Sequence, residues 1–293
     1  MTLRNIQSRV FVSAIHRRCH VPPLIFDKSS CLEVETKQWA QIFHDPITGS
    51  HTPKKLVDVP CTLIESFKGW NLVQLADEAG SGSHLISVRR KSELHVPGVA
   101  DLYGTARQRS AMDDVYRDFR ASCKLREFAD WFEDPQLLTQ SNRMYLAGTP
   151  LTDFVPRGVG LRLPTDIQSR IIPHSPLVYF GRGNQQTPLH FDPTANLTVV
   201  VRGEKTFTLF PPSASMKLEP VGGILETMIS WYGRWIPAVY SGLRIQDIDT
   251  DTLPNVRITL KAGEAIWIPS CWWHIVEGSQ AQNGILVYGV RNI

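Results

Sequence analysis

The chain has 293 residues, 42% of them apolar and 20% charged, an ordinary globular composition with material for one large core or two small ones. Its net charge of +3 is too mild to argue for nucleic acid by itself and leaves anionic small substrates open. No apolar run reaches the length that spans a membrane, and the five cysteines (Cys19, Cys31, Cys61, Cys123 and Cys271) are odd in number and far apart, which argues against a disulfide framework and for a reducing intracellular compartment, cytoplasm or nucleus.

Residues 1–30 read as a basic tail or a first helix. Arg4, Arg9, Arg17 and Arg18 precede the first acid, Asp27, and Leu3, Ile6, Val10, Phe11 and Ala14 share one helical face. The same composition marks transit peptides, so the mitochondrion is an alternative address. Residues 31–293 read as one folded unit. In its first part, 31–165, the pattern predicts a short strand at Thr62–Ile64, then a helix through Leu72, Leu75 and Ala76 that stops at Gly80. "GSGSH" is a loop and "HLISVRRK" a strand. The run 112–134 reads as a helix whose apolar face is Leu125, Phe128, Ala129 and Phe132, stopped by Pro135. "RMYLAGT" is a short strand, and "LPTDIQSRIIP" a polar connection with a helical turn.

In the second part, 166–293, the period changes. "LVYFGRG", "LHFD", "NLTVVVRG", "KTFTLFPP", "VRITLKAGE", "AIWIPSCWWHIVEG" and "GILVYGV" are short β-rich runs between Gly, Pro and Asn turns. Short strands at this spacing predict a mainly β fold with flanking helices and a jelly-roll or sandwich core. Residues 213–252 interrupt the series as an insert with Trp231, Tyr232, Trp235 and Tyr240. It serves either as a binding loop or as packing on the outside of the barrel.

The chemistry concentrates at "TPLHFDPTANLTVVVRGEKTFTLFPP". On a strand, residues i and i+2 point to one face, so His190 and Asp192 converge. Such a pair is either an ordinary hydrogen-bonded couple or two ligands of a divalent metal. The best third ligand is His274, behind Trp272 and Trp273. Two histidines and a carboxylate leave one face of an octahedral ion open, which suits non-haem Fe(II). Arg202-Gly203-Glu204 reads as a hairpin turn that returns "KTFTLF" antiparallel beside "NLTVVV", with Lys205, Phe207 and Leu209 on one face. A lysine there either meets an anion or reaches out to solvent along its stem.

The stretch "TPLHFDPTANLTVVVRGEKTFTLFPP", with "GEAIWIPSCWWHIVEG" downstream, closely resembles the JmjC-type, cupin-8-like Fe(II)/2-oxoglutarate oxygenases. That group includes the factor inhibiting hypoxia-inducible factor (an asparaginyl hydroxylase), small JmjC-only protein hydroxylases and the tRNA wybutosine hydroxylase. The resemblance is firm over about 145–290 and looser over 60–135. It implies a double-stranded β-helix in which His190, Asp192 and His274 bind Fe(II). It also implies that Lys205, Thr187 and Tyr145 bind the far carboxylate of 2-oxoglutarate, and that Asn196 and Thr198 line the site. The implied reaction uses O2 and hydroxylates a C–H bond with release of succinate and CO2. A protein side chain is the first expected target, a tRNA nucleoside the second and N-methyl demethylation the third. A homodimer stays among the expectations, though not through the C-terminal helices of the asparaginyl hydroxylase. The last strand departs from the family pattern, with Gly289 and Val290 where a polar residue is usual. The rivals outside the class are a non-redox metal cupin and a pseudoenzyme scaffold.

Overall fold

A computed structural model describes residues 33–35, 51–57, 59, 72–78, 85–90, 120–134, 144–151, 168–172, 176–182, 185–192, 194–218, 239–241, 243 and 247–290. The expected N-terminal helix or tail, the strand at Thr62–Ile64, the loop 80–84 and Trp231, Tyr232 and Trp235 lie outside the described residues. The strands are β1 (Glu33–Glu35), β2 (Lys54–Val57), β3 (Leu85–Arg90), β4 (Arg120–Lys124), β5 (Met144–Pro150), β6 (Leu177–Gly181), β7 (Gln186–Phe191), β8 (Ala195–Arg202), β9 (Glu204–Phe210), β10 (Val239–Tyr240), β11 (Val256–Lys261), β12 (Ala265–Ile268), β13 (Trp273–Gly278) and β14 (Asn283–Val290). The helices are α1 (Leu72–Glu78) and α2 (Leu125–Glu133). Among the described residues no helix is long and apolar enough to cross a membrane.

Two sheets face each other. The larger runs β1-β2-β12-β8-β14-β6-β5-β3-β4 and the smaller β10-β7-β13-β9-β11. From β6 to β9, and again from β11 to β14, successive strands alternate between the sheets, as a double-stranded β-helix requires. The expected jelly roll with flanking helices is the observed fold.

Three apolar layers follow from side-chain alternation. Between the sheets lie Val200, Ile266, Ile268 and Ile285 from the larger one, with Phe207, Leu209, Leu260 and Val276 from the smaller. The outer face of the larger sheet, through Leu197, Val199, Phe180 and Leu286, packs on Leu72, Ala76, Leu125, Phe128 and Phe132 of the two helices. The Phe132 and Phe180 rings meet edge to face at 5.7 Å. The outer face of the smaller sheet packs Phe191, Phe210, Trp273 and Ile275 against Ala214, Leu218, Ile248 and Leu253. The described part of the insert therefore packs on the outside of the barrel, and β10 within it adds an edge strand beside β7.

Two expectations are corrected. The helix read over 112–134 begins at Leu125, because Arg120–Lys124 is a strand paired with β3. Its alternating small and polar residues suit either state, and the neighbouring strand decides. Nor do β8 and β9 pair as a hairpin. β8 pairs with β12 and β14, β9 with β11 and β13, and the chain crosses between sheets at Gly203. Both strands bury residues on both faces, so either pairing satisfies the pattern. Gly203 has φ +63°, and a Cβ there would fall on the Gln282 carbonyl oxygen. Lys205, Phe207 and Leu209 do share a buried face.

Candidate metal centre

β7 and β13 are neighbours in the smaller sheet, and their register sets His190 opposite His274. The two imidazoles stand 4.1 Å apart between ring centroids. Asp192 follows directly after β7, and its Oδ2 lies 3.9 Å from His274 Nε2. One ligand atom from each of the three residues falls within 4.8 Å of the others. His274 continues the inward series His274, Val276 on β13, so the cluster opens between the sheets.

Neighbouring groups orient Asp192 and His274. The Asn196 amide Nδ2 donates to Asp192 Oδ2 at 2.5 Å. The Cys271 N–H donates to the Asp192 carbonyl oxygen at 2.8 Å. Cys271 has φ +63°, and its turn joins the Asp192 segment to the strand bearing His274. His274 Nδ1 lies 3.0 Å from the Trp272 carbonyl oxygen. That oxygen can only accept, so Nδ1 carries the proton and Nε2 presents its lone pair towards Asp192. The Trp272 indole donates to the His51 carbonyl oxygen at 3.0 Å, tying the segment before β2 to the same turn.

Burial shapes the electrostatics. It pushes the Asp192 carboxyl up from its ordinary value, against the opposing pull of His274 and the Asn196 amide. It pushes the His274 imidazole down to about 4, with His190 adding to the shift. Both shifts say that lone charge is costly in this cavity, and a divalent cation bound by neutral imidazoles and one carboxylate removes that cost. The donor set of two imidazoles and a carboxylate, with one side open, suits a first-row divalent ion such as Fe(II).

A second group stands deeper between the sheets. Lys205 is 2% exposed. Its Nζ donates to Tyr145 Oη at 3.4 Å and lies 4.9 Å from the centre of that ring. Among the described residues, no carboxylate pairs with it. β5 brings Tyr145 to this place through β6, where Tyr145 faces Gly181.

Thr187 reaches the inner face by a route that simple alternation misses. The register of β7 with β13 passes from His190–His274 to Thr187–Val276, so three residues of β7 span two of β13. This bulge falls at Pro188, which has no N–H to give to a ladder. It puts Thr187 and His190, three apart, on one face. Asn196 and Thr198 are buried on the inward face of β8 with Val200. Opposite Asn196 on β14 stands Gly289, which offers no side chain. The orienting carbonyl of Trp272 and the N–H of Cys271 are backbone groups, invisible in a list of side chains. The only sequence sign of them was the Pro-Ser-Cys turn ahead of two tryptophans.

The family model for the cupin-like domain matches residues 55–288. The chain belongs to this cupin-like, JmjC-type family. Lysine-specific demethylase JMJ31 of Arabidopsis thaliana is 32% identical over 110 residues, 35% of this chain and 18% of that protein. HSPB1-associated protein 1 of Homo sapiens is 30% identical over 107 residues, 34% of this chain and 20% of that protein. JmjC domain-containing protein 8 of Rattus norvegicus is 23% identical over 144 residues, 48% of this chain and 47% of that protein. The chain thus covers about a fifth of the first two relatives. What the cupin-like match spans is the two-sheet core together with the strands β2 to β5 that widen the larger sheet.

Proposed function

We infer that this cupin-like chain is an Fe(II)- and 2-oxoglutarate-dependent oxygenase that hydroxylates a C–H bond, with a protein side chain as its target. The observation that carries the reading is that the space between the two sheets holds both the His190–Asp192–His274 cluster and, deeper in, a buried lysine on a tyrosine hydroxyl. A non-redox cupin needs the first and has no use for the second.

Bound iron, with 2-oxoglutarate and O2, supplies the oxidation that yields succinate, CO2 and the hydroxylated product. The chain's own residues do the rest. His190, Asp192 and His274 hold the ion. Asn196 and the Trp272 carbonyl keep Asp192 and His274 in position. Lys205 meets the far carboxylate of the co-substrate as a compact charge, with Tyr145 and Thr187 adding hydroxyl hydrogen bonds. Thr198 lines the space between. Phe207, Leu209, Ile268 and Val276 exclude water around it. Two of the relatives are named lysine-specific demethylases, which favours a protein target. Hydroxylation of an N-methyl carbon is the second reading within the same chemistry.

Anaerobic titration with Fe(II) and 2-oxoglutarate tests the class. A visible band from the chelated co-substrate is expected, weaker in Lys205→Ala. A folded, metal-binding wild type without the band would return the non-redox cupin or scaffold to the lead. Histidine or aspartate replacement (His190→Ala, Asp192→Ala, His274→Ala) is expected to abolish turnover of 2-oxoglutarate to succinate with the far-UV spectrum unchanged. A variant that keeps wild-type turnover removes its residue from the metal site. Succinate release stimulated by peptides, and not by tRNA, selects the protein target. Stimulation by tRNA that falls steeply with salt selects the nucleoside.

A further inference from the structure

Beyond the lysine, the space between the sheets ends in buried amides to which the reading above gives no role. On β13 the register places His274 opposite Leu209 and Gly278 opposite Lys205. Four residues, about 13 Å of strand, therefore separate the metal ligands from the lysine. Gln185 and Asn283 stand at that deeper level, 2% and 0% exposed. Asn283 faces Gly181, and Gly181 also faces Tyr145.

Two glycines make room for the amides. A Cβ on Gly278 would lie 2.7 Å from Gln185 Oε1 and 2.8 Å from Asn283 Nδ2. A Cβ on Gly181 would lie 2.6 Å from Tyr145 Cδ2 and 2.7 Å from Gln185 Nε2. Gly278 continues the inward series of His274 and Val276, so both amides lie inside. The Gln185 side chain therefore fills the space between Gly181 of β6 and Gly278 of β13, and the Tyr145 ring lies over the same Gly181.

This wall is fixed. Gln185 Nε2 donates to the Arg182 carbonyl oxygen. Asn283 Nδ2 donates to the carbonyl oxygens of Ser279 at 3.1 Å and Ala281 at 3.0 Å, and lies 3.3 Å from Gln185 Oε1. Asn283 Oδ1 is buried without a hydrogen-bond partner among the described residues. These hydrogen bonds offset the cost of burying the two amides except at Asn283 Oδ1.

We propose that Gln185 and Asn283 form a rigid amide floor behind Lys205 that sets the length of the co-substrate, admitting a five-carbon 2-oxo diacid and excluding the six-carbon homologue. The proposal rests on the 2-oxoglutarate reading above. With the 2-oxo acid end held at the metal and the far carboxylate at Lys205 and Tyr145, an added methylene has to drive that carboxylate into the floor. A packed, hydrogen-bonded wall yields little to such a push.

The test is calorimetric binding of 2-oxoglutarate and 2-oxoadipate to the full chain loaded with Mn(II), without turnover. Wild type is expected to prefer 2-oxoglutarate by roughly 10- to 200-fold, the range for one methylene. Gln185→Ala, and Gln185→Asn, which withdraws the amide by one methylene, are expected to move that ratio at least about tenfold towards 2-oxoadipate. Unchanged Mn(II) affinity and circular dichroism are the check that the variants fold. Equal wild-type affinity for the two acids overturns the proposal without any variant. So does a preference that folded variants leave unchanged, although the 2-oxoglutarate reading then survives. A wild type that binds Mn(II) and neither acid overturns both.

Discussion

At the scale of single residues, His274 and Lys205 show how burial turns common side chains into specific tools. His274 donates from Nδ1 to a backbone carbonyl and keeps the lone pair of Nε2 free of that bond. In the folded chain it stays neutral down to about pH 4, whereas an unfolded histidine takes up its proton near pH 6.5. Its folded pKa is depressed, so the stability present above pH 6.5 is lost as pH falls towards 4. Metal-free wild type is expected to lose about 1 kcal/mol per pH unit in that window relative to His274→Asn, read from urea midpoints. Asp192, shifted the other way by the same burial, is common to both proteins. Parallel pH curves would place the imidazole in solvent. Lys205 makes the complementary case. Removing one member of a buried charge pair costs roughly 2–5 kcal/mol, so Lys205→Ala is expected to weaken 2-oxoglutarate binding on that scale. Unchanged affinity would mean that the lysine serves another partner.

At the scale of elements, turns and bulges decide which residues share a face. His190 and Asp192 were legible from period two, and so was the shared face of Lys205, Phe207 and Leu209. The inward placement of Thr187 was not, because a bulge at Pro188 shifts the register by one residue. The Gly203 turn was read correctly as a reversal and wrongly as a hairpin. A turn residue reports that the chain reverses, and it carries no record of which sheet receives the next strand. Gly203→Ala combines a left-handed backbone with a clash at Gln282. A loss of about 2 kcal/mol or more is expected, measured as a lower denaturant midpoint at unchanged m-value. A loss under about 0.5 kcal/mol would mean that the crossing relaxes easily.

At the scale of the molecule, the helices are bound to the barrel by polar junctions as well as by the apolar layer. Arg202 at the end of β8 pairs with Glu133 at the end of α2 through two bonds of 2.8 and 2.9 Å. Glu133 also accepts the Leu72 N–H at the start of α1, at 2.7 Å. Arg182, from the end of β6, donates to the carbonyl oxygens of Trp131 and Phe132 at 2.8 and 3.0 Å, groups that the end of α2 leaves without helical partners. Glu133→Ala is expected to cost about 2 kcal/mol while helix and tryptophan signals still unfold together. Separate transitions would show that the helices unfold without the barrel.

The sequence by itself determined the β-rich composition of the second half, the helix around Phe128 and Phe132, and the residue types of the metal cluster. Those depend on local period and on side-chain chemistry, both written in neighbouring residues. Only the tertiary structure decided that β8 and β9 lie in opposite sheets, that Arg120–Lys124 is a strand, and that Gln185 and Asn283 are buried beside Gly278, at the level of Lys205. Pairing partners and contacting residues lie far apart along the chain, 98 positions in the case of Asn283 and Gln185 and 221 in that of Trp272 and His51. Such distances leave no periodic trace along the chain, and the packing of whole sheets settles them.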